Sequence, residues 1–235
     1  MGLYEQVDQD VLAVFKRWAD RSAEYYERSA REFEERVRPA AYYVVVPRPG
    51  DVEFANICFT EWFLYEFALR EGRSPLMWYV ERPPVRTPAE RIRRLRQVAQ
   101  TQRFSRFAIL GKHRATWEVD LADLSSGQEL RVTAPMVCRK SGWKDGSVGL
   151  RVACVDEQWL SVGKAVLYDR NPGSVVSAAA GFGADHGEQG DSVPDGAQTS
   201  GPCEGDVSFL GLVHEVIGLG GAYADTRRMV GVGRA

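Results

Sequence analysis

The sequence has few of the residues on which catalytic and metal sites are usually built. It contains three histidines, His113, His186 and His214, and four cysteines. The histidines do not form an H-E-x-x-H motif, the cysteines form no C-x-x-C pair, and there is neither a G-x-S-x-G nucleophile motif nor a Walker A lysine. We therefore expect no catalytic residue, no metal ligand and no cofactor, and the sequence argues against an enzyme.

Long apolar runs and a strong net charge are also missing. No run approaches the roughly 20 apolar residues that a membrane-spanning helix needs, and residues 1–10 lack the basic and apolar regions of a signal peptide. The formal net charge of -2 gives no overall attraction to nucleic acid or membrane. Cysteines in mostly apolar surroundings are typical of reduced thiols. We expect a cytoplasmic protein without a membrane partner.

Apolar residues are plentiful enough for a folded core. Hydrophobic residues make up 44% of the chain, and they include 6 Trp, 9 Tyr and 10 Phe. Their spacing of three and four residues predicts four helices, near residues 3–38, 53–71, 75–82 and 88–102. The second of these is apolar around most of its circumference, so it should be the central buried helix. The run from Ala41 to Val46 predicts a buried strand.

Two helix starts carry recognisable capping residues. Ser74 before Pro75 predicts a side-chain N-cap followed by proline in the first turn. Thr87, Pro88 and Glu90 predict a capping box, in which the threonine and the glutamate each bind a backbone N–H at the helix start.

From Phe104 the apolar period changes from 3.6 to 2, which predicts strands. They lie near residues 104–110, 115–121, 128–134, 148–155 and 158–168, with tight turns at 125–127 and 156–157. Five short strands without crossover helices predict a small barrel. The predicted fold class is therefore α+β, with an N-terminal helical layer packed on a five-stranded antiparallel SH3-like or OB-like barrel.

The chain divides by composition into four parts. Residues 1–103 form the helical region and residues 104–170 the barrel. Residues 171–206 contain no Lys or Arg, one aromatic residue and eight glycines, which predicts a disordered linker because so little surface can be buried. Residues 207–235 begin with a short apolar segment, which we expect either to dock on the core or to bind a partner.

Two segments together resemble a known group of proteins. They are the aromatic helix from Phe59 to Phe67 and the barrel region that contains Asp123-Leu124-Ser125-Ser126-Gly127-Gln128-Glu129. The order is similar to that of an uncharacterised bacterial protein family, in which a W-F-x-aromatic helix precedes a small β-barrel. Some relatives carry a SEC-C zinc motif, which is absent here. The resemblance implies the fold and a bacterial origin, and it brings no activity and no catalytic residue.

Positive charge is concentrated between Arg82 and Arg114, a range that contains ten Lys or Arg residues and one acid, Glu90. Such a stretch can contact phosphates, and Trp143, beside Lys140 and Lys144, could add stacking. An internal or partner-facing charged surface is the favoured interpretation, because Arg is a good helix former and the Glu-rich first helix can neutralise this face. The candidate nucleic-acid-binding residues are Arg91, Arg93, Arg94, Arg96, Arg103 and Arg106.

The leading hypothesis is a non-enzymatic interaction protein with a protein partner. A nucleic-acid-binding module that uses the basic 82–114 stretch is the first alternative. The second is an enzyme with a non-motif active site between the 53–71 helix and the barrel. Glu61 and Glu66 of that helix lie about 140° apart around its axis, so they favour pairing with arginine over a catalytic carboxylate pair.

Overall fold

The structure is a computed structural model that describes residues 1–19, 23–170, 176–177 and 208–221. Most of its helices lie where the spacing of apolar residues predicts them. The helices of the described residues are α1 (Leu3–Ala19), α2 (Ala23–Val37), α3 (Pro49–Tyr65), α4 (Pro75–Glu81), α5 (Ala89–Thr101), α6 (Pro135–Arg139) and α7 (Phe209–Ile217).

Helix α3 is the central helix of the layer, as its sequence predicts. Nine of its side chains are buried, because apolar residues occupy most of its circumference. It begins earlier than predicted, with Pro49 in its first turn, and it ends at Tyr65 instead of residue 71. Phe67 and Leu69 stay buried after the helix ends, so they contribute to the core from an extended segment.

Two predictions about the first 46 residues are wrong. The single helix over 3–38 is two helices, since α1 packs mainly on α4 and α5 whereas α2 packs mainly on α7. The predicted strand at 41–46 is a 3-10 turn, Ala40–Tyr43, followed by Val45 and Val46 with exposures of 69% and 65%. Val44 forms a single β-bridge, but among the described residues the segment does not continue into a strand.

The two predicted helix starts differ in outcome. The Ser74 side chain accepts a hydrogen bond from the backbone N–H of Met77, and Pro75 occupies the first turn, as predicted. At α5 the capping box does not form. The N-cap is Pro88, the Thr87 hydroxyl donates to the Pro84 carbonyl, and Glu90 pairs with Arg93.

The second half of the chain forms a seven-stranded sheet, in which the predicted strand at 158–168 is two separate strands. Both predicted hairpin turns are present, at residues 125–127 and 156–157. The strands are β1 (Arg103–His113), β2 (Glu118–Asp123), β3 (Glu129–Thr133), β4 (Ser147–Val155), β5 (Gln158–Ser161), β6 (Leu167–Asp169) and β7 (Val176–Ser177).

The first five strands close into a barrel in the order β1-β2-β3-β5-β4-β1. The ladder between β3 and β5 is parallel and the others are antiparallel, so the prediction of a purely antiparallel barrel is wrong. The parallel ladder and the helix α6 between β3 and β4 fit the OB-like alternative, because the strands of an SH3-like barrel pair antiparallel.

Strand β4 joins the barrel to the helical layer. Val148, Leu150 and Val152 face the barrel interior, while Ala153 and Val155 belong to the core beneath the helices. Nearly all of β4 is buried, which is typical of a strand covered on both faces.

The C-terminal apolar segment docks on the core through α7. Five of its side chains are buried, among them Phe209 and Leu212, and His214 Nδ1 lies 2.8 Å from the Val37 carbonyl oxygen. Of the predicted linker 171–206, only the short strand β7, which pairs with β6, is described. The rest of that linker and residues 222–235 lie outside the described residues.

The cysteines of the described ranges are reduced. Cys58 and Cys138 are buried free thiols, and Cys154 is a partly exposed free thiol; Cys203 lies outside those ranges. In the same ranges, no helix combines the length and the apolar character that crossing a membrane requires.

Candidate functional site

An open groove runs between α1 and α3. Its walls are one face of each helix, because the residues that line it recur every three or four positions. Pro47 and Pro49 lie at one end, and the loop between β5 and β6 lies at the other. The α3 wall extends from Pro49 to Tyr65, a length of about 24 Å at 1.5 Å per residue. The cavity has a volume of about 700 Å³.

The walls of this α1–α3 groove are mostly apolar. Val11, Leu12 and Phe15 project from α1, and they face a similar set on α3, namely Val52, Ile57 and Leu64. The Leu12 side chain is 47% exposed, so this wall presents apolar surface to solvent. The exposed Val45 and Val46 directly precede Pro47 at one end, so apolar surface continues out of the groove.

A buried carboxylate lies in the wall next to the β5–β6 loop. Glu61 is 3% exposed and both of its oxygens are occupied. One accepts from Arg151 Nε at 3.0 Å, and the other accepts from the backbone N–H groups of Lys164 and Ala165 at 2.8 and 2.9 Å. Burial raises the pKa of the Glu61 carboxyl, while these partners act in the opposite direction.

Arg151 of β4 connects the groove to the barrel. Its guanidinium is 2% exposed, donates to Glu61, Glu66 and Gln102, and packs over the Tyr65 ring at 4.7 Å. The sequence-based expectation that both glutamates pair with arginine is therefore confirmed, and the arginine is the same one. Three elements meet in this network: the C-terminal end of α3 with its C-cap Glu66, the C-cap Gln102 of α5, and β4.

Gly163 allows the β5–β6 loop to approach the Glu61 carboxylate. A Cβ atom at this position would overlap both carboxylate oxygens. The close approach lets the next two backbone N–H groups donate to Glu61, which explains why glycine occupies this position.

The polar rim of the groove is acidic. Lys164, the one lysine or arginine among the described lining residues, forms an ion pair with Asp8 across the end of the groove. Glu53 is exposed on the α3 side. Since Asp8 and Lys164 offset each other, Glu53 leaves the rim with a negative charge.

The arginines predicted to bind nucleic acid are mostly engaged within the chain. Arg91 and Arg94 both bind Asp10 of α1 at 2.8 Å, and Asp10 is 2% exposed. Arg93 pairs with Glu90 and with Asp156 of the β4–β5 turn. These contacts fasten α5 to α1 and to the barrel, so three of the six candidates hold the helical layer together.

The other three candidates do not share one surface. Arg103 pairs with Asp123 at 3.2 Å, and Arg106 lies 3.9 Å from Asp169. Arg96 is exposed, and no partner for it is found among the described residues. Five of the six candidates therefore lie beside an acid of the described chain, and only Arg96 presents a side chain with no acid found beside it.

Asp123 holds the β2–β3 hairpin. It is 2% exposed, and its Oδ1 accepts from the Ser105 and Ser125 hydroxyls and from the Ser125 backbone N–H at 2.6 to 2.9 Å. Burial acts to raise the pKa of the Asp123 carboxyl, but these hydrogen bonds and Arg103 hold the pKa below its ordinary value.

We expect Asp123→Asn to lower the free energy of unfolding by about 1–2 kcal/mol at pH 7. Because the folded-state pKa is depressed, the stability from the charged carboxylate is present above the unfolded pKa of about 3.9 and is lost as pH falls through the folded pKa. The gap between wild type and variant should therefore shrink below about pH 4. Urea unfolding from about pH 7 to pH 2 measures this, with Asp145→Asn as the exposed control. A gap that stays constant with pH would contradict the assignment.

The described residues around the groove include few of the side chains that usually form catalytic or metal sites. None of its described lining residues is His, Cys or Ser. Nowhere in the described ranges do three or more His, Cys, Asp or Glu side chains gather as metal ligands. His113 lies far along β1, 2.6 Å from Asp120, and His214 faces Val37. The described lining is dominated by apolar side chains, with Asn56 and Thr60 among its polar groups.

The groove was not predicted from the sequence, although two signals pointed to it. An acid at position 61 interrupts an otherwise apolar helix, and an arginine at 151 interrupts an apolar strand. Two opposite charges in buried elements predict a buried pair, because neither charge can be buried alone. The hypothesis of a site between the second predicted helix and the barrel named one wall of the groove, α3, but the opposite wall is α1, and of the described lining only the β5–β6 loop comes from the second half of the chain.

No family model, curated protein or solved structure matches this chain. The resemblance to an uncharacterised bacterial family therefore stays a prediction, and the function has to be argued from the geometry.

Proposed function

We propose that the protein is a non-catalytic interaction protein that binds an amphipathic helix of a partner protein in the α1–α3 groove. The observation that carries the proposal is the open, mostly apolar groove, whose partly exposed walls continue into Val45 and Val46. Apolar surface of this kind on a folded protein marks an interaction site. The reduced cysteines are consistent with a cytoplasmic location.

The shape and charge of the groove favour a helix as the occupant. An α3 wall of about 24 Å matches about 16 residues of helix, and packing between two helices is the usual helix-in-groove arrangement. Asn56 and Thr60 supply polar groups along the wall, which an acyl chain could not use. The acidic Glu53 disfavours a fatty-acid carboxylate or an anionic lipid and favours a helix with basic flanks.

Catalysis is the weaker alternative for the same place. A general acid or base needs a lone pair or proton within reach of the substrate. Both oxygens of Glu61 are already taken by donors of the chain itself. The carboxylate therefore serves to hold the β5–β6 loop and Arg151.

Leu12→Glu is expected to weaken binding of a groove-directed helical peptide about 10- to 100-fold, since burying a leucine contributes about 1.5–3 kcal/mol. The probe is a set of 16-residue peptides selected from a displayed amphipathic-helix library on the wild-type protein. Fluorescence anisotropy gives each Kd. Leu124→Glu is the matched control, because Leu124 is 49% exposed against 47% for Leu12.

Two results would overturn the proposal. Selected peptides could lack apolar residues at helical spacing, or they could lose affinity with Leu124→Glu and keep it with Leu12→Glu. Thermal unfolding of both variants shows whether each is folded, so that loss of binding is not mistaken for loss of structure.

A further inference from the structure

Basic side chains gather at one end of the barrel, away from the α1–α3 groove. The strands β1 and β3 end there and β2 and β4 begin there, so the β1–β2 turn, α6 and the loop at 140–146 lie together. We call the Lys and Arg side chains of this end the barrel-end cluster. It consists of Lys112, Arg114, Arg139, Lys140, Lys144 and Arg170.

Contacts across the turn and α6 hold the first half of the cluster together. Lys112 Nζ donates to the carbonyls of Val137 and Lys140 at 2.8 and 2.9 Å. The Arg139 guanidinium lies 5.4 Å from the centroid of the Trp117 ring, and Trp117 is 41% exposed. An exposed indole with an arginine over it is a flat apolar surface beside a positive charge.

The second half of the cluster is arranged around a stacked aromatic pair. Trp143 stacks on Tyr168 with ring centroids 4.7 Å apart and planes 11° from parallel. The Tyr168 hydroxyl donates to the Asp145 carbonyl at 2.9 Å, so the 140–146 loop is held against the end of β6. Lys144 and Arg170 extend from these two segments and are exposed.

The local charge contrasts with that of the whole chain. Six bases lie near four acids, Glu118, Asp120, Asp145 and Asp169, in a protein with a formal net charge of -2. Two of these acids have other basic partners, since Asp120 pairs with Arg131 and Asp169 lies 3.9 Å from Arg106. The arginines of α5 do not produce such an excess, because Asp10 and Asp156 offset them. The barrel-end cluster therefore offers a polyanion an excess of positive charge that α5 does not offer.

We infer that the barrel-end cluster binds single-stranded nucleic acid. Separated positive charges can follow a phosphate backbone, and the exposed face of Trp117 offers a surface for a base. A double helix would lie flat against the barrel, where the acids Glu118, Asp120 and Glu129 outnumber Arg131 on the outer face of β2 and β3 and repel it. A single strand can cross the end of the barrel without meeting that face.

The test is a titration of the full chain with fluorescein-labelled 20-nucleotide oligo(dT) and oligo(U), with a 20-base-pair duplex as comparison. With about four phosphate contacts, affinity should fall roughly 50-fold between about 50 and about 200 mM salt. The variant Arg139→Glu/Lys144→Glu should bind at least about 10-fold more weakly, and the slope of log K against log salt should decrease by about 1.4.

The control is Arg86→Glu/Arg96→Glu, which makes the same change of charge on the exposed helical layer. It should leave binding within about threefold of wild type, a difference of less than 1 kcal/mol. The inference is overturned if no oligonucleotide binds at about 50 mM salt, or if the control loses affinity and the barrel-end variant does not. It is also overturned if the duplex binds more tightly than the single strands, or if only vesicles of phosphatidylserine bind.

Discussion

Replacing Arg151 by methionine is expected to lower the free energy of unfolding by about 3–5 kcal/mol. The guanidinium is 2% exposed and supplies a donor to both Glu61 and Glu66. Without it, Glu61 remains a buried carboxylate whose neighbours are two backbone N–H groups and apolar side chains. The energetic cost is mainly that of an unpaired buried charge, since methionine fills most of the space of the arginine stem.

The size of this loss in the free energy of unfolding shows whether the Arg151–Glu61 pair is needed for the stability of the fold. Urea unfolding at about pH 7, followed by tryptophan fluorescence, gives the free energy and the m-value. Arg96→Met is the matched control, because Arg96 is exposed and should change stability by less than about 0.5 kcal/mol.

A second variant identifies the cause of the loss. In Arg151→Met/Glu61→Gln the buried negative charge is removed together with the arginine, so the double variant should be more stable than Arg151→Met alone. Equal or greater destabilisation of the double variant would show that the cost arises from lost packing around the Tyr65 ring rather than from the uncompensated carboxylate.

Local sequence patterns predicted those parts of the fold that depend on local physics. The short helix from Pro75 follows from its serine cap and the proline after it, and the hairpin turns at 125–127 and 156–157 follow from the alternation of the strands around them. The change of apolar period at Phe104 located the start of the barrel. Apolar residues every second position lie on one face of a strand, whereas apolar residues every 3.6 positions lie on one face of a helix. The conformation of these elements is determined by residues that are close together in the sequence.

Tertiary context decided the elements that were predicted wrongly. The run Ala41–Val46 has high strand propensity, but it lies between two helices and forms a 3-10 turn and a single bridge at Val44. Its last two valines are exposed. The parallel pairing of β3 with β5 joins residues 132–133 to 159–160, and adjacent hairpins in the sequence suggest antiparallel neighbours instead. Neither outcome could be derived from local propensity.

The candidate site was harder to predict than the fold because its partners are far apart in the chain. Glu61 and Arg151 are separated by 90 residues, and Arg91 and Arg94 are offset by Asp10, more than 80 residues earlier. Composition shows that the 82–114 stretch is basic, but it does not show which acids face it. The groove also depends on the angle at which α1 lies beside α3, and no sequence pattern specifies that angle.

The docking of α7 leads to the second large effect. Phe209→Ala is expected to lower the free energy of unfolding by about 3–5 kcal/mol, the usual cost of removing a buried phenylalanine. Phe209 is 2% exposed, meets the Phe104 ring edge to face at 4.9 Å and lies 5.3 Å from the Arg151 guanidinium. Its removal opens a cavity directly beside the buried charge network.

The same variant distinguishes the two roles that the sequence allows for the C-terminal segment. If α7 is part of the core, Phe209→Ala lowers the urea midpoint while Glu215→Ala, an exposed alanine substitution on the same helix, leaves it nearly unchanged. If the segment instead is not docked on the core and binds a partner, both variants should unfold at the wild-type midpoint. An unchanged midpoint for Phe209→Ala would therefore contradict the docked position of α7 and would make its apolar face, Phe209 included, a second binding surface.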